Sequence, residues 1–210
     1  MLLKNNVYTN SDLSYLTGSL LGDGCLYVGK NSYQFSITSE DYDFCEMCFN
    51  LVKDIFGKKG RIKTIKKDGK ISYYQLVVCS KKIVNFFLEE TLSKKRIPSY
   101  VYTNDNTIKS FMQGLMDSDG WICKVNASDG YIRYRVGFKN ISEWTMPFKV
   151  MFSNLGVKTG KLREITNDRY GKPSKNSYTF SINTLDYCNK IGFRILRKQK
   201  IQKEYLNAKN

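Results

Sequence analysis

The fold of this chain is decided by two nine-residue stretches, Leu16-Thr-Gly-Ser-Leu-Leu-Gly-Asp-Gly24 and Met112-Gln-Gly-Leu-Met-Asp-Ser-Asp-Gly120. Each begins with apolar residues at helical spacing and ends with a small residue, an Asp and a Gly. The two acids, Asp23 and Asp119, lie 96 residues apart in the sequence. That interval is close to the length of a small domain, so the repeat indicates two copies of one unit.

Other segments repeat at nearly the same offset. The matches are Tyr33-Gln-Phe-Ser-Ile-Thr with Tyr134-Arg-Val-Gly-Phe-Lys, and Gly60-Arg-Ile-Lys63 with Gly160-Lys-Leu-Arg163. Pro98 opens a short stretch between the copies, and a proline seldom continues a helix. We therefore predict two halves, 1–98 and 107–210, joined by a linker over 99–106.

Each half reads as helix, hairpin, helix, hairpin, helix, which predicts an α+β fold of duplicated αββαββα units. Apolar spacing and the Asp68-Gly69 turn signal locate the elements. In the first half we expect a helix over 11–22, strands over 25–30 and 33–38, a helix over 40–56, a strand over 73–79 and a helix over 81–92. Four strands in each half predict two antiparallel four-stranded sheets.

Charge narrows the class of function. The chain has 34 Lys and Arg against 19 Asp and Glu, a formal net charge of +15, and it contains no histidine. Such a basic chain is expected to bind a polyanion, with nucleic acid ahead of an anionic membrane. Without histidine, Ser-His-Asp and Cys-His catalysis and His-ligated zinc are excluded. Any chemistry must come from carboxylates, Lys, Tyr, Cys or a bound metal.

The six cysteines are expected to be reduced thiols, because no secretory signal is evident. Cys45-Glu-Met-Cys48 has the spacing of a metal-binding pair, but the lack of a second pair favours structural thiols. No stretch reaches the ~18 apolar residues of a membrane span. The abundance of Lys, Asn, Ile and Tyr is typical of an AT-rich genome. The expected setting is intracellular and DNA-associated, in a phage, a bacterial cytoplasm or an organelle (mitochondrion or chloroplast), and not secreted.

The predicted strand 132–139 separates apolar from charged residues. Its apolar residues alternate with Arg133, Arg135 and Lys139, so one face is suited to burial and the other to anions. An ordinary solvated sheet face is the plain alternative. The net charge and the matching polar face of strand 33–38 favour an anion-binding surface.

The two repeated acids stand where a helix disfavours them. The carboxyl end of a helix carries partial negative charge, yet both copies place Asp there. A glycine cap with a solvent-facing Asp is the alternative. Small residues would allow the two helices to cross closely and bring the acids together; they are Gly18, Gly22, Gly114 and Ser118. Adjacent carboxylates need cations, and oxygen ligation without histidine favours Mg²⁺, which predicts phosphodiester hydrolysis.

At these residues the sequence resembles the LAGLIDADG homing endonucleases. The copy at 112–120 is the closer match, whereas the copy at 16–24 departs at Ser19 and Leu21. Neither departure falls on the acid that binds metal in the family. The resemblance covers nearly the whole chain and implies a monomer in which the two four-stranded sheets form a pseudo-two-fold saddle.

The resemblance also implies site residues. Asp23 and Asp119, with Gly22 and Ser118 beside them, would hold two or three divalent ions, expected to be Mg²⁺, between the two motif helices. The basic residue that follows the last helix of each half matches Lys95 and Lys198, with Lys94 and Lys200 as open alternatives. The polar residue that holds water near the metals matches Ser39 and Asn140.

The implied substrate is a long, non-palindromic double-stranded DNA target, read in its major groove by the polar sheet faces. Candidate DNA contacts are Gln34, Ser36, Thr38, Arg61, Lys63, Gln75, Arg133, Arg135, Lys139, Lys161 and Arg163. Cleavage of both strands would leave short 3′ overhangs. An RNA-splicing maturase of the same fold, with or without residual DNA cleavage, is the alternative function, and intron RNA is its partner.

Overall fold

The computed structural model describes residues 10–167 and 173–209. Its helices are α1 (Asn10–Leu21), α2 (Tyr42–Phe56), α3 (Lys81–Glu90), α4 (Asp105–Ser118), α5 (Ser142–Asn154), α6 (Thr184–Lys190) and α7 (Leu196–Asn207). Its strands are β1 (Gly24–Val28), β2 (Tyr33–Ser39), β3 (Arg61–Lys67), β4 (Lys70–Cys79), β5 (Gly120–Asn126), β6 (Ile132–Ile141), β7 (Arg163–Asn167) and β8 (Pro173–Ile182). A single turn of 3-10 helix, Ser99–Tyr102, precedes α4.

The strands form two antiparallel four-stranded sheets with the same strand order. The first runs β1-β2-β4-β3 and the second β5-β6-β8-β7. The hairpin between β3 and β4 turns at Asp68 and Gly69, whose φ angles of 51° and 76° suit the tight two-residue turn predicted there. The predicted α+β fold of duplicated units is therefore confirmed.

The chain divides into two compact units, one ending at Ser118 and one beginning at Asp119. The boundary places α4 in the first unit, whereas the sequence repeat groups α4 with the second sheet. Helix α4 belongs to the first unit because it packs along α1.

In the first unit, one face of the sheet is covered by helices. Helix α2 is amphipathic and buries Phe44, Cys48 and Val52, and it ends at Gly57, whose φ of 65° is the usual left-handed helix terminus. From α3, Phe87 stacks on Phe35 of β2 with ring centroids 5.5 Å apart. These helices therefore bury an aromatic cluster on one side of the sheet.

The second unit repeats this one-sided burial. Phe138 of β6 and Phe180 of β8 meet α5 through Phe148 and Phe152. Helix α6 begins at Asn183, whose side chain accepts the N–H of Asp186 at 3.0 Å, an N-cap contact. Among the described residues, no helix is long and apolar enough to cross a membrane.

Candidate nucleic-acid and metal site

Helices α1 and α4 cross at two glycines. A Cβ atom placed on Gly18 would lie 2.1 Å from the carbonyl oxygen of Phe111, and one on Gly114 would lie 2.1 Å from the carbonyl oxygen of Tyr15. Such distances leave no room for a side chain, so the two backbones are in direct contact. The close helix crossing predicted from the small residues is confirmed.

A buried polar contact joins the same two helices. The hydroxyl of Tyr15 in α1 donates to Oδ2 of Asp117 in α4 at 2.7 Å, and Asp117 is only 3% exposed. The matching positions in the other motif copy are Phe111 and Leu21, which are apolar and buried. The Tyr15–Asp117 contact therefore has no matching pair of polar side chains in the other motif copy.

The first repeated acid lies directly after α1. Asp23 separates α1 from β1, and its carbonyl oxygen accepts the N–H of Thr38 at 3.4 Å. The next residue, Gly24, lies against Leu20, where any Cβ would be 2.5 Å from the Leu20 Cα. Its carbonyl oxygen accepts a hydrogen bond from the ammonium of Lys94 at 2.8 Å. We call Asp23, Gly24 and Lys94 the first half-site.

The second repeated acid has a closely similar setting. Asp119 separates α4 from β5 and is half-buried. The carbonyl oxygen of Gly120 accepts a hydrogen bond from the ammonium of Lys198 at 2.6 Å. The side-chain amide of Asn140 donates to Oδ2 of Asp119 at 2.7 Å. We call Asp119, Gly120, Lys198 and Asn140 the second half-site.

The two lysines that contact these glycines lie in different kinds of backbone structure. Lys198 is 3% exposed; it lies in the first turn of α7, with its ammonium 5.5 Å from the ring centroid of Phe193. Lys94 lies in the loop after α3 and is half-buried. Lys95 and Lys200 are exposed. Of the alternatives that the sequence left open, Lys94 is therefore the counterpart of Lys198.

The remaining predicted residues near the acids differ between the two units. The hydroxyl of Ser39 accepts the N–H of Asp41 at 3.1 Å, just before α2, whereas Asn140 contacts Asp119. The hydroxyl of Ser118 donates to Leu115 O at 2.8 Å within its own helix. Gly22 continues the helical hydrogen-bond pattern of α1, because its N–H donates to Gly18 O at 3.1 Å.

The face of the first sheet that the helices leave uncovered carries the predicted polar residues. Thr38, Gln75 and Lys63 lie side by side on β2, β4 and β3, and Gln75 Nε2 donates to Thr38 Oγ1 at 3.3 Å. In the next row are Ser36 and Arg61, both opposite Val77. Ser36 is 4% exposed, so it contributes little open surface. Gln34 is half-buried, and Arg61 and Lys63 are exposed.

The second sheet has the corresponding face, with more charge. Lys139, Thr179 and Arg163 form the row that matches Thr38, Gln75 and Lys63. Arg135 lies opposite Cys123 on the same face. A cleft of about 500 Å³ opens here, lined in part by Trp121, Arg135, Lys161 and Arg163. Arg133 forms an ion pair with Asp129 in the turn before β6, which offsets part of its charge.

The donor groups of the two half-sites suit a hard divalent cation. Carboxylate and carbonyl oxygens are the ligands that Mg²⁺ and Ca²⁺ prefer, and Mg²⁺ commonly uses only one or two carboxylates together with phosphates and water. Among the described residues, no cluster of three or more His, Cys, Asp and Glu side chains forms a complete protein cage. Burial raises the pKa of the Cys45 thiol to about 11, so this thiol is protonated at neutral pH and is a poor metal ligand.

Sequence reasoning missed three features of this region. The Tyr15–Asp117 bond joins residues 102 positions apart, and no sequence pattern pairs them. The glycine carbonyls that hold the two lysines were not anticipated, and neither was helix α7, which carries Lys198. Aligning the two motif copies could have singled out Tyr15 and Asp117. Both are polar, whereas their counterparts Phe111 and Leu21 are apolar.

Comparisons with known proteins agree with this architecture. Residues 10–91 match the family model of the LAGLIDADG-like domain. A search of curated protein sequences finds no match. Over these residues the chain is similar to the LAGLIDADG-like domain, and the resemblance inferred from the two motifs is confirmed.

Solved structures share the fold over most of the chain. The homing endonuclease I-DmoI, in a study of its mesophilic variants, aligns with a TM-score of 0.60 and 20% identity, covering 89% of this chain and 93% of that one. I-DmoI in complex with DNA and Mn gives 0.59 and 21%, with 88% and 98% covered. Full-length DUF199/WhiA from Thermatoga maritima gives 0.62 and 17%, covering 98% of this chain and 63% of that one. The fold is that of the LAGLIDADG homing endonucleases.

Proposed function

We propose that this chain is a site-specific double-strand DNA endonuclease that hydrolyses phosphodiester bonds with the help of divalent cations, Mg²⁺ first among them. The observation that carries the proposal is the repeated half-site. In both copies an Asp follows a motif helix, and the next glycine holds a lysine ammonium on its carbonyl oxygen at 2.8 and 2.6 Å. The similar protein I-DmoI was crystallised with DNA and Mn, with DNA and Ca, and with target DNA in the presence of Mg.

Asp23 and Asp119 are the residues that would hold the cations. Bound there, divalent cations would supply a Lewis acid for the scissile phosphates and an acidified water. Asn140 donates to Oδ2 of Asp119 and so fixes the orientation of that carboxylate. Backbone carbonyl oxygens of Gly22 and Ser118 are the further ligands we propose from this chain.

Lys94 and Lys198 each place a positive charge beside one acid. A fixed ammonium close to a reacting phosphate stabilises the negative charge that develops during hydrolysis, and it needs no reorganisation to do so. Because both ammonium groups are already held by glycine carbonyls, they are positioned before DNA binds. One lysine for each acid is consistent with one strand cut at each half-site.

The uncovered sheet faces are the DNA-binding surfaces that we propose. Gln75 and Thr38 can present hydrogen-bonding groups to base edges, whereas Arg135, Lys139 and Arg163 can bind guanine or phosphate. The corresponding rows of the two sheets differ in every residue, Thr38–Gln75–Lys63 against Lys139–Thr179–Arg163. From that difference we propose a non-palindromic target, cleaved on both strands to leave short 3′ overhangs.

The first experiment is a selection of cleaved duplexes from a random DNA library with the wild-type protein in Mg²⁺. Sequencing of the ends gives the target and the overhang. We then expect Asp23→Asn and Asp119→Asn each to slow cleavage of this selected duplex by about 100-fold or more, since each removes a ligand of the metal site. DNA affinity should change by less than about threefold, because the sheet faces are untouched.

Asp54→Asn is the matched control, because Asp54 is an exposed acid on α2 and loses the same charge. It should cut at the wild-type rate. Full activity of either active-site variant would contradict the metal assignment. Failure to select any cleaved duplex, together with tight binding of structured RNA, would favour a maturase instead.

A further inference from the structure

The loop after α3 contains three consecutive residues in the left-handed backbone region. Their φ angles are 44° at Leu92, 56° at Ser93 and 69° at Lys94. Among the described residues, the only other non-glycine residue with a positive φ is Asp68, in the β3–β4 turn. Side chains with a Cβ avoid this region, and a helix needs only one such residue to terminate. A run of three is therefore more than the end of α3 requires.

Thr91 holds this turn in place. Its side chain is fully buried; its hydroxyl donates to Phe87 O at 2.5 Å and accepts the N–H of Lys94 at 3.0 Å. Its carbonyl oxygen accepts the N–H groups of Lys95 and Arg96 at 2.7 and 2.8 Å. The hydrogen bonds of Thr91 therefore stabilise a left-handed backbone conformation that residues 92–94 disfavour on their own.

The turn has one evident consequence, which is the direction of Lys94. The ammonium of Lys94 reaches Gly24 O, 70 residues earlier in the chain, while the next two residues, Lys95 and Arg96, remain exposed. Lys198 makes the equivalent contact with Gly120 from the first turn of the regular helix α7. The lysine–glycine contact is thus made from a regular helix in the second half-site and from a strained, left-handed turn in the first.

We propose that the left-handed turn Leu92–Lys94, anchored by Thr91, is a positioning device that holds the Lys94 ammonium at the first half-site. Leu92, Ser93 and Thr91 are then positioning residues that act through Lys94. The inference rests on the endonuclease function proposed above, in which Lys94 assists the cleavage of one strand. It goes beyond that function by assigning the geometry of one lysine to a strained segment.

The test measures single-turnover cleavage of each strand of the selected duplex, at saturating protein. Lys94→Met identifies the strand that depends on Lys94. Ser93→Val opposes the turn, because a β-branched residue is strongly disfavoured at positive φ. We expect Ser93→Val to slow that strand by about tenfold and the other strand by less than about twofold, because small misplacements of a catalytic group are costly.

Ser153→Val is the matched control. It makes the same exchange at an exposed position of the regular helix α5, and both strands should be cut at the wild-type rate. A second pair of variants tests the anchor. Thr91→Val removes the hydroxyl and should slow the same strand as Ser93→Val, whereas Thr91→Ser keeps the hydroxyl and should restore the rate.

The possible outcomes distinguish the catalytic role of Lys94 from the positioning role of the turn. If Lys94→Met cuts both strands normally, the role of Lys94 in the proposed function is wrong. If Lys94→Met slows one strand but Ser93→Val and Thr91→Val do not, the function stands and the positioning role of the turn is overturned. Equal slowing of both strands by Ser93→Val would also overturn it, because a general loss of folded protein affects both half-sites.

Discussion

Asn140 and Ser39 occupy matching positions near the ends of β6 and β2, yet they contact different groups. The Asn140 amide donates to the Asp119 carboxylate at 2.7 Å, whereas the Ser39 hydroxyl accepts a backbone N–H from Asp41. An amide is long enough to reach the carboxylate and can donate to it. The two acids are therefore oriented by different means, and the second half-site has a support that the Ser39 position does not provide in the same way.

We expect Asn140→Ala to slow cleavage by about 10- to 100-fold, the usual cost of losing a group that orients a metal ligand. The affinity for the selected duplex should not change. Single-turnover rates and a binding isotherm measure the two quantities separately.

Ser39→Ala is the control for this position. It removes a contact at the start of α2 and should leave the cleavage rate within about twofold of wild type. Equal effects of the two substitutions would show that the contact with Asp119 is not what matters at this position.

Single residues were the hardest part of the site to predict. Both acids could be located from the repeat, and the Ser39/Asn140 pair from the family resemblance. Lys94 could not be separated from Lys95, since the run Lys94-Lys95-Arg96 offers three cations and no glycine to mark the left-handed turn. The choice between them depends on backbone angles that local sequence preferences oppose.

Helices α1 and α4 cross closely, and each is followed directly in the chain by one of the two acids. We expect Gly18→Ala to lower the free energy of unfolding by about 1–3 kcal/mol or more, because the new methyl group would lie 2.1 Å from a carbonyl oxygen. Elsewhere in a helix the same exchange stabilises by about 1 kcal/mol. Urea unfolding followed by circular dichroism measures the change.

A suitable control is Asn50→Ala on the exposed face of α2. It introduces the same residue into a helix where solvent can accommodate it, so stability should be retained. A stable Gly18→Ala protein would mean that the two helices can separate without cost, against the close crossing described above.

Whole elements were predicted more successfully than single residues. The amphipathic helix α2, the paired strands and the Asp68-Gly69 turn follow from periodicity and turn chemistry, which are local. Helix α7 was not predicted as a separate element. Its segment is dominated by Arg, Lys and Gln, and only Ile201 and Tyr205 give an apolar spacing, so the usual pattern of a packed helix is weak.

At the scale of the molecule, the chain carries a net charge of +15, and each sheet contributes exposed basic residues. Those on or next to the proposed DNA-binding faces include Arg61, Lys63, Arg133, Arg135, Lys139, Lys161 and Arg163. If most of them meet phosphates, the logarithm of the association constant should fall with the logarithm of salt concentration with a slope of about −4 to −6. Fluorescence anisotropy of the selected duplex in Ca²⁺ measures this slope.

Lys63→Gln should reduce the magnitude of the slope by about 1, the contribution of one phosphate contact. Lys53→Gln on α2 removes the same charge from the helix-covered side and should change the slope much less. An association constant that does not change with salt concentration would contradict the assignment of the sheet faces as the DNA-binding surface.

The duplication was visible in the sequence, but the division into compact units was not. A repeat shows which segments of the chain are similar in sequence, whereas a compact unit is defined by which segments pack together. Helix α4 begins the second copy of the repeat and yet packs on α1, so its contacts and its ancestry point to different units. The sequence boundary over 99–106 therefore remains a prediction about the repeat.

The one-sided polar contact at the α1–α4 crossing has a consequence for molecular recognition. If two α1 helices met on the same glycine geometry, Tyr15 would face Leu21, and two α4 helices would set Asp117 against Phe111. Each pairing of like with like would bury a polar group against an apolar side chain, which costs about 1–3 kcal/mol on protein scales. Each helix therefore favours its unlike partner over a second copy of itself.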